Sequence, residues 1–202
     1  MVNVFLLKIY NIPKVLRMKW SVYFNRWYFR AKKIEYGLNL NVIGNMSIYG
    51  KGNIKIGNNF MMTNDCNVNP ISSNIKGAFY TEENAFVSIG DNVGMSATRL
   101  WISKRLTIGN NVKIGACTLL IDTDSHPIDY NIRRTSNEGT KASPITIEDD
   151  VWIGAHSIIL KGVTIGARSI IGAGSVVTKD IPCDCIAAGN PCKVIKNLAI
   201  FS

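Results

Sequence analysis

One aliphatic residue returns at every sixth position from residue 147 onward: Ile147, Ile153, Ile159, Ile165, Ile171 and Val177. Gly154, Gly166 and Gly172 each follow one of them. A small residue comes two or three places later, as in IGAHSI, IGARSI and IGAGSV. The pattern is present upstream at Ile108, Ile114 and Leu120, at Ile89 and Met95, and at Ile56, Met62 and Val68. A helix would need spacings of three and four, and a single strand would alternate every second residue. A period of six implies a short strand, a turn and a short strand again. Three such units close one triangular coil, and stacked coils bury columns of aliphatic side chains.

The phase breaks carry information too. Ile89 to Ile108 is 19 residues, one more than three repeats, which predicts a bulge near residues 101–105. Val68 to Ile89 is 21 and Leu120 to Ile147 is 27, so excursions from the coil are expected over residues 71–85 and about 122–143. Loops that leave a regular solenoid commonly hold its function. The second contains Asp122, Asp124, His126 and Asp129.

Charge is unevenly spread. The chain of 202 residues has a net charge of +9. Residues 1–33 hold eight basic residues and no acid, and the other 15 basic residues face 14 acids, a net of +1. A nucleic-acid binder is therefore a poor reading, because the charge belongs to one terminal segment. That segment also holds eight of the 18 aromatic residues. After Pro13, Leu16, Trp20, Tyr23, Phe24, Trp27 and Ala31 follow helical spacings, with Lys19, Arg26, Arg30 and Lys33 on a neighbouring face. The segment reads as a cap over the first coil, as a helix that docks on anionic lipid, or as both. No apolar run is long enough to span a membrane, and no export signal is expected. Five cysteines, an odd number, fit a reducing cytoplasm better than a disulfide framework, and the spacing of Cys183 and Cys185 is wrong for zinc. No metal site is expected.

Residues 40–197 carry, in order, IGxx repeats, DTDSHPID, VWIG, VVTKDIP and GNPCKVI. This ordered set resembles the hexapeptide-repeat acyltransferases, nearest the galactoside, maltose and polysaccharide O-acetyltransferases. The resemblance implies a mainly β fold, a left-handed parallel β-helix. Residues 1–36 would form the N-terminal helical segment, 37–182 the acyltransferase domain, and 183–202 a donor-binding tail. It also implies acetyl-CoA as donor and a homotrimer with sites between subunits.

Acyl transfer to an alcohol needs a base, a donor for the developing oxyanion and alignment of the substrates. His126, followed by Pro127, matches the family's catalytic base, whereas His156 lies within a regular repeat and should face outward. Asp122 or Asp129 is a candidate to orient His126. Trp152 matches a tryptophan at the active-site mouth. Ala155 and Ala173 match positions lining the pantetheine groove, and Thr178, Lys179, Lys193 and Lys196 match positions near the donor's adenine and phosphates. Ser96 falls where family members acting on free sugars place an asparagine, and no acid lies nearby, which disfavours simple-sugar specificity. The expected activity is therefore O-acetylation of a sugar hydroxyl of a cell-surface polysaccharide or its precursor. The expected location is the cytoplasm, with peripheral contact at the inner face of the membrane through residues 1–33. The rival readings are an acetyltransferase for a small-molecule acceptor and a catalytically silent scaffold.

Overall fold

The structure is a computed structural model that describes residues 14–198. Residues 1–13, the start of the basic aromatic segment expected over residues 1–36, lie outside the described residues. Three parallel sheets run the length of the solenoid, and successive strands fall in successive sheets. The first sheet holds β1 (Glu35–Tyr36), β4 (Asn53–Ile56), β7 (Phe86–Ile89), β10 (Arg105–Ile108), β13 (Ile145–Ile147) and β16 (Thr164–Ile165). The second holds β2 (Asn41–Gly44), β5 (Met61–Asn64), β8 (Gly94–Ser96), β11 (Lys113–Ile114), β14 (Trp152–Ile153) and β17 (Ile170–Ile171). It ends in β19 (Cys185–Ala188) and the antiparallel β20 (Lys193–Asn197). The third holds β3 (Ser47–Gly50), β6 (Ala78–Thr81), β9 (Arg99–Ile102), β12 (Leu119–Ile121), β15 (Ile158–Leu160) and β18 (Val176–Val177).

The period of six stacks like on like. Ile56, Ile89, Ile108, Ile147 and Ile165 pair in register behind the first sheet. Val42, Met62, Met95, Ile114, Ile153 and Ile171 do so behind the second. Ile48, Phe79, Leu100, Leu120, Ile159 and Val177 fill the third. All are buried. Phe79 replaces Val68, which the six-residue count placed in the core and which lies exposed on an excursion over residues 65–77. That excursion starts and ends earlier than expected, because Ala78–Thr81 is already strand. The single extra residue between Ile89 and Ile108 also has a finer origin. The step from Met95 to Leu100 is one residue short, at Ala97 with φ +43°, and the step from Leu100 to Ile108 is two long, at Ser103 and Lys104.

The corners are polar and repeat as strictly as the core. Asn39, Asn59, Asn92, Asn111 and Asp150 each take a left-handed φ between +56° and +60°, a conformation that Asn and Asp tolerate best. Beside them, the side chain at each corner accepts the backbone N–H of the coil before it: Asn58 from Leu38, Asp91 from Asn58, Asn110 from Asp91, Asp149 from Asn110. Amide alternates with carboxylate, so no two like charges stack. At another corner Gly154 lies under the next coil, where a Cβ would sit 2.5 Å from the Ala173 nitrogen. Buried Thr118, Ser157 and Ser175 donate their hydroxyls to carbonyls of that corner.

Helix α1 (Lys14–Ala31) lies over the first coil, but not with its aromatic stripe. The strand it covers, β2, is a sheet edge whose carbonyls have no strand partner on that side. Asn25 donates to the carbonyls of Val42 and Gly44, Arg26 to that of Leu40, and the Ser21 hydroxyl accepts from the Gly44 N–H. Arg17 pairs with Asp65 at 3.0 Å. Phe29 of this helix is buried in the core, meeting Tyr36 edge-on at 6.3 Å, and Tyr28 packs half-buried against it. Leu16, Trp20, Tyr23, Phe24 and Trp27 face solvent. An edge of unpaired peptide groups is met by hydrogen-bonding side chains, so the helix turns its polar face inward.

Candidate active site

The excursion between β12 and β13 is built on a closed stem. Thr123 bridges Ala142, the Asp124 N–H donates to the Lys141 carbonyl, and Ser143 donates to the Asp122 carbonyl. Lys161 lies 3.4 Å from the Asp124 carboxylate. Asp122 does not reach toward His126. Its fully buried carboxylate accepts the N–H groups of Ser103, Lys104 and Arg105 at 2.6, 2.8 and 2.8 Å, where two extra residues lengthen the coil. Burial pushes this carboxyl above the ordinary carboxylate range, against the opposing pull of the three N–H donors.

Ser125, at φ +61°, turns the chain so that His126 stands exposed at the tip while Pro127 is buried beneath it. Arg133 donates to the Pro127 and Ile128 carbonyls and fixes the backbone behind the histidine. The loop then makes a short helix, α2 (Tyr130–Arg133), whose N-cap is Asp129, accepting from the Asn131 N–H. Asp129 is thus a cap and not the partner of His126. That partner is Asn137, whose Oδ1 lies 3.0 Å from His126 Nδ1. The amide oxygen accepts from a protonated Nδ1, the tautomer that in the neutral ring places the lone pair on Nε2. This arrangement suits a base: one nitrogen is held and the other is free to take a proton.

The other expected residues fall elsewhere. Trp152 stands exposed on the outer face of the second sheet, in register between Lys113 and Ile170. It borders a groove of about 510 Å³ that is also lined by Gly94, the one position in that outward column without a side chain. Ser96 lies in the same groove, its hydroxyl accepting from Asn69 Nδ2 at 2.7 Å and donating to the Thr63 carbonyl. An excursion-loop amide therefore reaches the place where the coil itself offers only a hydroxyl. Ala155 and Ala173 lie at the corner above Gly115 and Gly154, their backbone nitrogens stacked closely on those glycines. Thr178, Lys179, Lys193 and Lys196 are exposed toward the C-terminal end, the last two on β20. The structure brings Trp152 and Ser96 together. His126 does not line their groove, and neither do the lysines. His156 occupies an exposed corner at φ +59°, where the next coil has Gly174 at +71°. Among the described residues no three His, Cys, Asp or Glu side chains are gathered to hold a metal.

Residues 144–179 match the bacterial transferase hexapeptide (six repeats) family. The chain thus contains a segment of hexapeptide repeats similar to those of that family. It is 48% identical over 93 residues to the galactoside O-acetyltransferase of Escherichia coli, covering 46% of this chain and 44% of that protein. The hexapeptide-repeat chain thus spans less than half the length of that relative. Among solved structures it resembles a hexapeptide-repeat acetyltransferase of Vibrio cholerae complexed with acetyl coenzyme A, at 29% identity and a TM-score of 0.51, covering 87% of this chain and 77% of that one. It also resembles a polySia-specific acetyltransferase, at 26% identity and a TM-score of 0.56, covering 84% and 77%. Its solenoid is the left-handed parallel β-helix of these structures.

Proposed function

We propose that the protein transfers the acetyl group of acetyl-CoA to a sugar hydroxyl of a cell-surface polysaccharide or its precursor, with His126 as general base. The observation that carries this reading is the Asn137–His126 pair, which engages Nδ1 and leaves Nε2 without a hydrogen bond among the described residues at an exposed loop tip. Nε2 takes the hydroxyl proton as the oxygen attacks the thioester carbonyl. Backbone N–H groups of a neighbouring coil stabilise the resulting oxyanion. The intermediate then collapses, the carbon–sulfur bond breaks, and the imidazolium returns its proton to the departing CoA sulfur. Neither a covalent acyl-enzyme nor a metal enters this sequence.

A homotrimer fits the placement of the parts. His126 and the Trp152 groove do not meet within one chain, so a neighbouring copy is needed to bring one to the other. The outer face of the third sheet supports such an assembly. Tyr49, Tyr80, Trp101, Ile121 and Leu160 follow one another in register there, whereas Lys55, Ser88, Thr107, Thr146 and Thr164 line the first. Lys179, Lys193 and Lys196 supply cationic ends for the phosphates of the donor. The glycan acceptor is favoured by the amides Asn69 and Asn92 that line the groove and by the exposed Trp152 ring at its border.

Acetyl-CoA turnover against a panel of glycans, nucleotide sugars and small amines tests the reading. Transfer to glycan hydroxyls is expected, and His126→Ala should lower it by about 10²–10⁴-fold, the usual worth of a general base, while leaving the solenoid folded. Full activity in that variant would overturn the assignment. Selective turnover of the small amines would favour a small-molecule acceptor.

A further inference from the structure

We propose that the solvent-facing stripe of α1 docks the protein onto an anionic lipid surface. Trp20, Tyr23 and Trp27 are 64%, 70% and 62% exposed, and Leu16 and Phe24 lie beside them. Large aromatic side chains gathered on an open surface mark an interaction site. Here they pack on one another: Trp20 stacks on Phe24 with centroids 5.4 Å apart, and Phe24 meets Trp27 at 5.8 Å. The helix cannot roll to bury them. Its opposite face is engaged with the coil edge through Ser21, Asn25 and Arg26, and rotation would break every one of those bonds.

The chemistry of the flanks selects the partner. Residues 14–33 contain seven basic side chains and no acid. Lys19, Arg30, Lys32 and Lys33 are exposed, and none makes an ion pair among the described residues. A second copy seated on this stripe would bring the same unscreened positive charge against it. A bilayer with anionic headgroups supplies what both features need, an apolar boundary for the rings and negative charge for the flanking cations. Where the stripe reaches Trp20, a cleft of about 540 Å³ opens between α1 and the 65–77 excursion, lined by Arg17, Asn64 and Lys76 among others. Lys76, exposed at its wall, extends the cationic flank to that end of the stripe. Among the described residues no helix is long and apolar enough to cross a membrane, so α1 lies along the interface.

The full-length protein should co-sediment with phosphatidylcholine vesicles containing phosphatidylglycerol and only weakly with phosphatidylcholine alone. Raised salt should weaken the binding. Trp20→Ser/Trp27→Ser should cut partitioning by roughly tenfold or more, as expected for losing two interfacial anchors. Its thermal midpoint and its acetyl transfer to a water-soluble acceptor should stay unchanged, since both rings already face solvent away from the Trp152 groove. Equal binding by the double variant overturns the proposal, and so does failure of the parent protein to bind anionic vesicles. Self-association that grows with protein concentration and is abolished by the same substitutions also overturns it, and gives the stripe to a second copy.

Discussion

Asp122→Asn separates two roles that the sequence leaves open for this acid. If Asp122 anchors the loop, the substitution acts on stability first. The carboxylate uses Oδ1 for the Ser103 N–H and Oδ2 for those of Lys104 and Arg105. An asparagine can turn its single oxygen toward Lys104 and Arg105, but its NH₂ then faces the Ser103 N–H. Two donors are left without acceptors in a fully buried site, at about 1–3 kcal/mol each. Relief of the buried charge returns part of this, so a net loss of about 2–4 kcal/mol is expected. For a chain of this size that is roughly 5–15 °C in thermal midpoint, read by circular dichroism at pH 7. The pH dependence gives a second arm. Burial raises the folded pKa of Asp122 above its unfolded value of about 3.9, so the folded state holds this proton more tightly. The contribution is full below the unfolded pKa and is lost as pH rises through the folded one. The parent protein should show that loss, and the variant, having no such proton, should not. A variant as stable as the parent but slow in transfer would refute the anchoring role and return Asp122 to the side of His126.

Removing Asn137 should act on chemistry without unfolding: Asn137→Ala should lower kcat by about tenfold or more by releasing the tautomer of His126, with KM for acetyl-CoA nearly unchanged in initial-rate assays. Lys193→Glu should chiefly raise the KM for acetyl-CoA, and an effect confined to the acceptor would count against its phosphate role. Asn25→Leu strands the carbonyls of Val42 and Gly44 beneath α1, so it should cost about 2–4 kcal/mol and speed amide hydrogen exchange in β2 before the later coils.

Parts of this molecule are legible in sequence because a coil repeats its own environment. Each sixth residue meets its equivalent in the next coil, so Ile147 through Val177 announce three buried columns. What the period cannot locate is compensation. The stretch from Ile89 to Ile108 has one residue too many, and only coordinates reveal one short corner at Ala97 and one long corner at Ser103 and Lys104. The corner hydroxyls Thr118, Ser157 and Ser175 read merely as small residues until their carbonyl partners are seen. The same limit governs the site. His126 stands out because an out-of-phase loop with its own proline has no packing reason to hold an imidazole. Its partner does not stand out, because Asn137 lies 11 residues on in a polar loop where an amide has no periodic signature. Three aspartates flanking the histidine look like better partners than a distant asparagine. Two of them are taken by the backbone, since a loop leaving a solenoid must first satisfy the peptide groups it strands. Helix α1 teaches the converse. Its aromatic period is visible, and the usual inference turns such a stripe inward. The first coil offers α1 an edge rich in unpaired peptide groups, and Ser21, Asn25 and Arg26 answer it better than rings could. Hydrophobic periodicity therefore identified the helix and not its buried face, because the surface it had to cover was itself polar.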